Sequence, residues 1–255
     1  MITKAAEKRL LLFDLNACVD YTFFKAKIWQ RDNLRIREEK SMLFGNGSLA
    51  AMEAADAAKL AVRSTANFDW TFIAILALVF VGVYIPKIKA GDFNAVAAAL
   101  ALYGVHWLYE IANAVICYFT GYALWTVSPE STSFILLIGV SWELSMMFSI
   151  AGFTCGLLPE DKDMKILGIN NRIVFAIGQA LFFSVFEIFL ASTPAFIWVY
   201  KWWGALPVFI TTYIPFFLAA YLIYDKPAAV QKKFLICVWG AVALLLVTLI
   251  PLGII

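Results

Sequence analysis

From Phe68 onward six apolar runs of 19 to 27 residues dominate the chain, at roughly 68–86, 93–119, 132–157, 172–192, 205–224 and 234–254. A helix rising 1.5 Å per residue needs about 20 such residues to cross the ~30 Å hydrocarbon core of a bilayer. In hydrocarbon every backbone N–H and C=O must be paired within a helix or a closed barrel, and the period-2 alternation of barrel strands is absent. The runs therefore predict an all-α fold: a polytopic integral membrane bundle of about six transmembrane helices over 68–255. Composition excludes the alternative of a free cytosolic protein. Of the 255 residues 63% are hydrophobic and 15% charged, against about 25% charged in an ordinary soluble domain.

Residues 1–67 form a separate region, holding eleven of the 20 Lys and Arg and eight of the 18 Asp and Glu. Between Lys4 and Trp29 the apolar clusters are interrupted by Asp14, Asp20, Lys25 and Lys27, which suits an interfacial helix rather than a span or a signal peptide. A turn at 44–47 precedes Ser48, which is placed to cap an alanine-rich helix with Glu53, Asp56, Lys59 and Arg63 on one wet face. This region is also the expected contact for a partner protein or a second copy. Its basic character favours a cytoplasmic N-terminus, although Lys87, Lys89, Lys162, Lys165, Arg172, Lys226, Lys232 and Lys233 gather on the opposite side of six spans.

A formal net charge of +2 and the lack of a basic stripe or zinc-type spacing set nucleic acid aside as a partner. Cys18, Cys117, Cys155 and Cys237 stand far apart, with no Cys-x-x-Cys pair. No cofactor is implied, and one histidine without a Glu-x-x-His motif argues against a metal.

The chemistry rests on polar residues within the apolar runs, where each ionisable side chain costs at least ~2.5–3.5 kcal/mol on insertion scales. His106, Glu110, Asn113 and Cys117 share a face of the second run; Glu143 follows Trp142 in the third; Gln179 and Glu187 lie in the fourth. Counted from the loops, Glu110, Glu143 and Glu187 fall in one leaflet, with Thr211, Thr212 and Tyr213 at similar depth. They are expected to line a common pocket, and Trp107 and Trp142 sit beside two of them. Ser141, Ser145 and Ser149 with Gly152 read as a close-packing seam. Pro207 and Pro215 should bend the fifth run, freeing the carbonyl of Thr211.

The string His106-Trp-Leu-Tyr-Glu110 with Glu143 in the next run resembles the sterol isomerase family that includes emopamil-binding protein. Separately, Ser141-Trp142-Glu143 is similar to the Ser-Trp-Glu signature of small membrane meroterpenoid cyclases. Both resemblances imply carboxyl-mediated protonation and deprotonation of an isoprenoid or sterol-like lipid. The expectation is thus an intramembrane isomerase or cyclase with Glu143 as the acid and Glu110, oriented by His106, as base or relay. Glu187, Gln179 and Asn113 would complete the polar lining, and Trp107, Trp142 and Tyr213 the cation-stabilising wall. The rival expectations are a proton-coupled transporter or ion pathway, and a non-catalytic subunit of a membrane complex.

Overall fold

The computed structural model describes residues 48–66 and 68–255, all within one unit, Gly45–Ile255. The expected interfacial helix of Lys4 to Trp29, the turn at 44–47 and the proposed N-terminal partner contact lie outside the described residues.

The chain runs through α1 (Leu49–Ala61), α2 (Trp70–Lys89) and α3 (Phe93–Thr120), then β1 (Trp125–Val127), β2 (Ile135–Leu137) and β3 (Val140–Ser141). There follow α4 (Trp142–Ala151), which tightens into a 3-10 segment at Gly152–Leu157, then β4 (Lys165–Ile166), β5 (Ile169–Asn170), α5 (Asn171–Ala191) and β6 (Phe196–Trp198). The last two helices are α6 (Ala205–Tyr224) and α7 (Ala228–Leu249). Among the described residues four helices, α3, α5, α6 and α7, are long and apolar enough to cross a membrane. Helix α2 matches their length, with Lys87 and Lys89 in its last turn.

The third apolar run departs from expectation. Instead of spanning, residues 132–157 form a hairpin of β2 and β3, with Ile135 opposite Ser141 and Leu137 opposite Val140, and then a ten-residue helix. Ten residues rise only about 15 Å. Ile135, Leu137, Ile138 and Val140 are buried against protein instead of facing lipid. Run length alone does not distinguish a buried hairpin from a helix. Among the described residues the third run supplies no such helix and four helices meet the length and composition of a span, so the count of about six is not reached, and three two-stranded ribbons accompany the helices.

Helix α3 is the hub. Its Ala98, Ala99, Ala101 and Leu102 are fully buried, and such small side chains let neighbouring backbones approach. At Gly152 an added Cβ would stand 2.5 Å from the Cα of Ala99 and 2.8 Å from the carbonyl oxygen of Ala98. Ser141, Ser145 and Ser149 are buried along the same helix, so the stretch from Ser141 to Gly152 packs as a seam. Ser141 caps α4 by accepting the N–H of Leu144. The hydroxyl of Tyr103 lies 2.7 Å from that of Ser145, and Tyr84 donates to the carbonyl of Ser149 at 2.6 Å. Helix α7 buries only Gln231 and Val242, leaving an apolar face for lipid.

The two ends of the bundle are built differently. At one end Arg172 donates to both carboxylate oxygens of Asp225, at 2.6 and 3.0 Å, and to the carbonyl of Pro159 at 2.7 Å, tying α5 to the end of α6. At the other, β1 and β6 pair antiparallel, with Trp125 opposite Trp198. Ser48 caps α1 through the N–H of Ala51, and α1 packs beside this ribbon. Lys59 lies 4.3 Å over the Tyr122 ring and donates to the carbonyl of Gly121.

Candidate functional site

One turn of α3 beyond His106 stands Glu110, and one further turn on stands Asn113, all three at most 4% exposed. Asn113 treats the returning chain as a strand partner. Its amide nitrogen donates to the carbonyl of Trp125 at 2.9 Å, and its oxygen accepts the N–H of Leu124 at 2.8 Å. These two bonds draw β1 into the bundle, so that the indole of Trp125 reaches both oxygens of Glu110, at 3.2 and 3.3 Å. The cross-strand partner, Trp198, donates its indole N–H to Glu187 at 2.7 Å. One ribbon thus delivers a donor to each of two carboxyls on different helices.

Glu187 also accepts a hydrogen bond from the hydroxyl of Tyr213. That tyrosine is set by a defect in α6. Pro215 has no N–H for the carbonyl of Thr211, and the ladder slips, with the N–H of Ile214 bonding back to Phe209, to give a π turn over Phe209–Tyr213. The wider turn lets the adjacent residues Thr212 and Tyr213 both line the interior.

Between these elements lies a cavity of about 30 Å³, on the order of two water molecules. His106, Glu110, Glu187, Thr212 and Tyr213 supply its polar wall, and Phe148, Phe183, Phe186, Phe196 and Phe216 much of the rest. The imidazole of His106 stacks on Phe148 at 4.1 Å and meets Phe216 edge-on. Its Nε2 stands 3.4 Å from Glu110, close enough for ion pairing, yet neither ring nitrogen has a hydrogen-bond partner, and neither does the hydroxyl of Thr212. Gly139 closes the roof. A Cβ there would come within 2.5 Å of the Trp125 indole nitrogen and 2.6 Å of Glu110.

His106, Glu110, Glu187 and Tyr213 therefore come together, and the other sequence candidates do not join them. Glu143 lies in the first turn of α4, where it accepts hydrogen bonds from the backbone N–H of Ser133 at 2.5 Å and from the Ser133 hydroxyl. It borders a different hollow, with Asp69, Glu130 and Ser131. The depth expected for it assumed a spanning third run, and the hairpin removes that premise. Trp107 and Trp142 line a separate groove with Phe80, Tyr103 and Met146. Asn113 holds β1, and Gln179 is half-buried on α5 away from the cavity. Among the described residues no three His, Cys, Asp or Glu side chains converge as a metal site requires.

The tryptophans at 125 and 198 escaped sequence reasoning because they sit between apolar runs, where interfacial tryptophan is the ordinary expectation. Trp125 is instead 7% exposed and stacked on Trp203. No spacing in the chain signals that pairing.

Residues 52–251 match a family described as an uncharacterized membrane protein family, and the chain belongs to it. It is similar to a protein of Archaeoglobus fulgidus described as an uncharacterized protein, with 42% identity over 188 residues covering 70% of this chain and 89% of the relative. No solved structure matches the chain.

Proposed function

We propose that this member of a membrane protein family is an intramembrane acid–base enzyme that isomerises or cyclises an isoprenoid-like lipid. The observation that carries the reading is the pairing of two buried carboxyls, Glu110 and Glu187, across one cavity walled by aromatic rings and His106. Glu187 takes the acid role that the sequence suggested for Glu143. Its carboxyl proton passes to an alkene carbon, and the resulting carbocation is faced by Phe148, Phe183 and Phe216. Glu110, with His106 beside it, accepts a proton from a neighbouring C–H bond as the new double bond forms. One proton enters the substrate and one leaves. Tyr213 and Trp198 stabilise the carboxylate that Glu187 becomes, while Trp125 holds Glu110 in place as the carboxylate that takes up the proton.

The test is to reconstitute the full chain in lipid nanodiscs, supply isoprenoid lipids, and follow product formation for wild type, Glu187→Gln and Glu110→Gln. Either substitution is expected to lower turnover by about 10²–10⁴-fold, while Glu143→Gln leaves it near wild type. Turnover unchanged by both removes the acid–base roles. The water-sized cavity favours a second reading, a proton pathway. Acidification of proteoliposomes that depends on Glu110 and Glu187 without any lipid product selects it.

A further inference from the structure

We infer that the substrate of this site is a single-chain lipid with a terminal hydrogen-bonding group, entering sideways from the bilayer past Phe186, polar tip first. The inference rests on the acid–base reading above and specifies what that site accepts. Its first support is the set of unpartnered polar atoms. Both ring nitrogens of His106 and the hydroxyl oxygen of Thr212 are buried without hydrogen-bond partners, on side chains 1% and 7% exposed. A buried polar group left unpaired is unfavourable. A pure hydrocarbon offers them no hydrogen bond, leaving His106 Nε2 only its 3.4 Å approach to Glu110, whereas a terminal hydroxyl can donate and accept and a terminal carbonyl can accept.

Size gives the second support. With its walls as they stand, the cavity of about 30 Å³ is nearer in size to the tip of a chain than to a fused ring system. That runs against the sterol-like substrate that the family resemblance suggests.

The third support is the wall itself. Phe186 lines the cavity and is 43% exposed on the outside of α5, where Phe182, Val185 and Phe189 form an apolar surface. Phe186 therefore reaches from the cavity to the outer surface of α5. Elsewhere the lining is held more firmly, with Trp125, Glu187 and Tyr213 all hydrogen-bonded. Two residues before it, Ser184 fixes α5 to α6 through the carbonyl of Ala205 at 2.8 Å, whereas the ring of Phe186 pairs, among the described residues, only with that of Phe189, at 6.2 Å, and is the side chain that turns aside.

The experiment uses the full chain in phosphatidylcholine nanodiscs and the apolar reagent dicyclohexylcarbodiimide, which adds to protonated carboxyls, with modified residues read by mass spectrometry. Three lipids are offered as protectants: geranylgeraniol, a linear chain with a terminal hydroxyl; squalene, a linear chain without one; and cholesterol, a hydroxyl on fused rings. Geranylgeraniol is expected to slow modification of Glu187, the protonated carboxyl of the pair, by about tenfold, with squalene and cholesterol leaving the rate within about twofold. Equal protection by squalene overturns the requirement for a polar end, and equal protection by cholesterol overturns the single-chain requirement. Phe186→Ala should speed modification of Glu187 and Phe186→Trp should slow it. If both variants match wild type, entry past Phe186 is wrong. Modification that no lipid slows sinks the substrate class and leaves the acid site standing; absence of modification at Glu187 removes the acid site and the inference with it.

Discussion

Glu187 accepts from two donors of different origin, one on a ribbon between helices and one on the π turn of α6. A buried hydrogen bond between neutral groups contributes about 0.5–1.5 kcal/mol, so Trp198→Phe is expected to lower stability by roughly that amount, measured by thermal unfolding in detergent. Gly139 is equally constrained, since a methyl group there overlaps the Trp125 indole and Glu110. Gly139→Ala should destabilise by about 1–3 kcal/mol and shift tryptophan emission to the red as Trp125 loses its buried site; unchanged emission would show that the roof yields. Outside the spans, Asp92 caps α3 by accepting the N–H of Ala95, and Lys87 donates to its carboxylate at 2.9 Å. The Lys87 hydrogen bond, with help from that of Ala95, holds the carboxyl below its ordinary range against partial desolvation. A lowered pKa means stability present above the unfolded value, near pH 4, and lost as the pH falls through the folded one. Asp92→Ala should therefore cost about 1 kcal/mol at neutral pH, and the gap to wild type should narrow below pH 4.

At the scale of elements, two devices make the site. The π turn exists because Pro215 removes a donor, so Pro215→Ala restores a regular ladder and turns Thr212 or Tyr213 out of the cavity. The expected result is a helix at least as stable as wild type with turnover reduced about tenfold or more; full activity would show that the π turn is dispensable. The β1–β6 ribbon is the second device, and its pairing of Trp125 with Trp198 was not legible in the chain. Strand partners separated by some 70 residues leave no local pattern. Helix α4 shows the same limit. Its seam of serines is readable from Ser141 to Gly152, but its start at Ser141, and whether the apolar residues before it face lipid or protein, depend on what α3 offers them.

For the whole molecule, the ion pair of Arg172 with Asp225 fastens α5 to α6 at the end opposite the ribbon. Arg172→Ala leaves Asp225 without its cation and two carbonyl and amide oxygens without their donor. A loss of about 3 kcal/mol or more is expected, read as a lowered unfolding midpoint, with little change in the chemistry at the far end; a variant as stable as wild type would make the pair incidental. The chain by itself determined its solvent, the long helices that match it, the cap at Ser48, the serine seam and the presence of costly buried acids, because each follows from local composition, length and spacing. Only the tertiary structure decided that Glu110 meets Glu187 and not Glu143, that four long helices suffice where six runs were counted, and that tryptophans from two connections turn inward. Those outcomes depend on which surfaces compete for a buried position, and that competition is settled between distant segments, where a hydrogen bond to a buried carboxylate outweighs the tryptophan's ordinary preference for the interface.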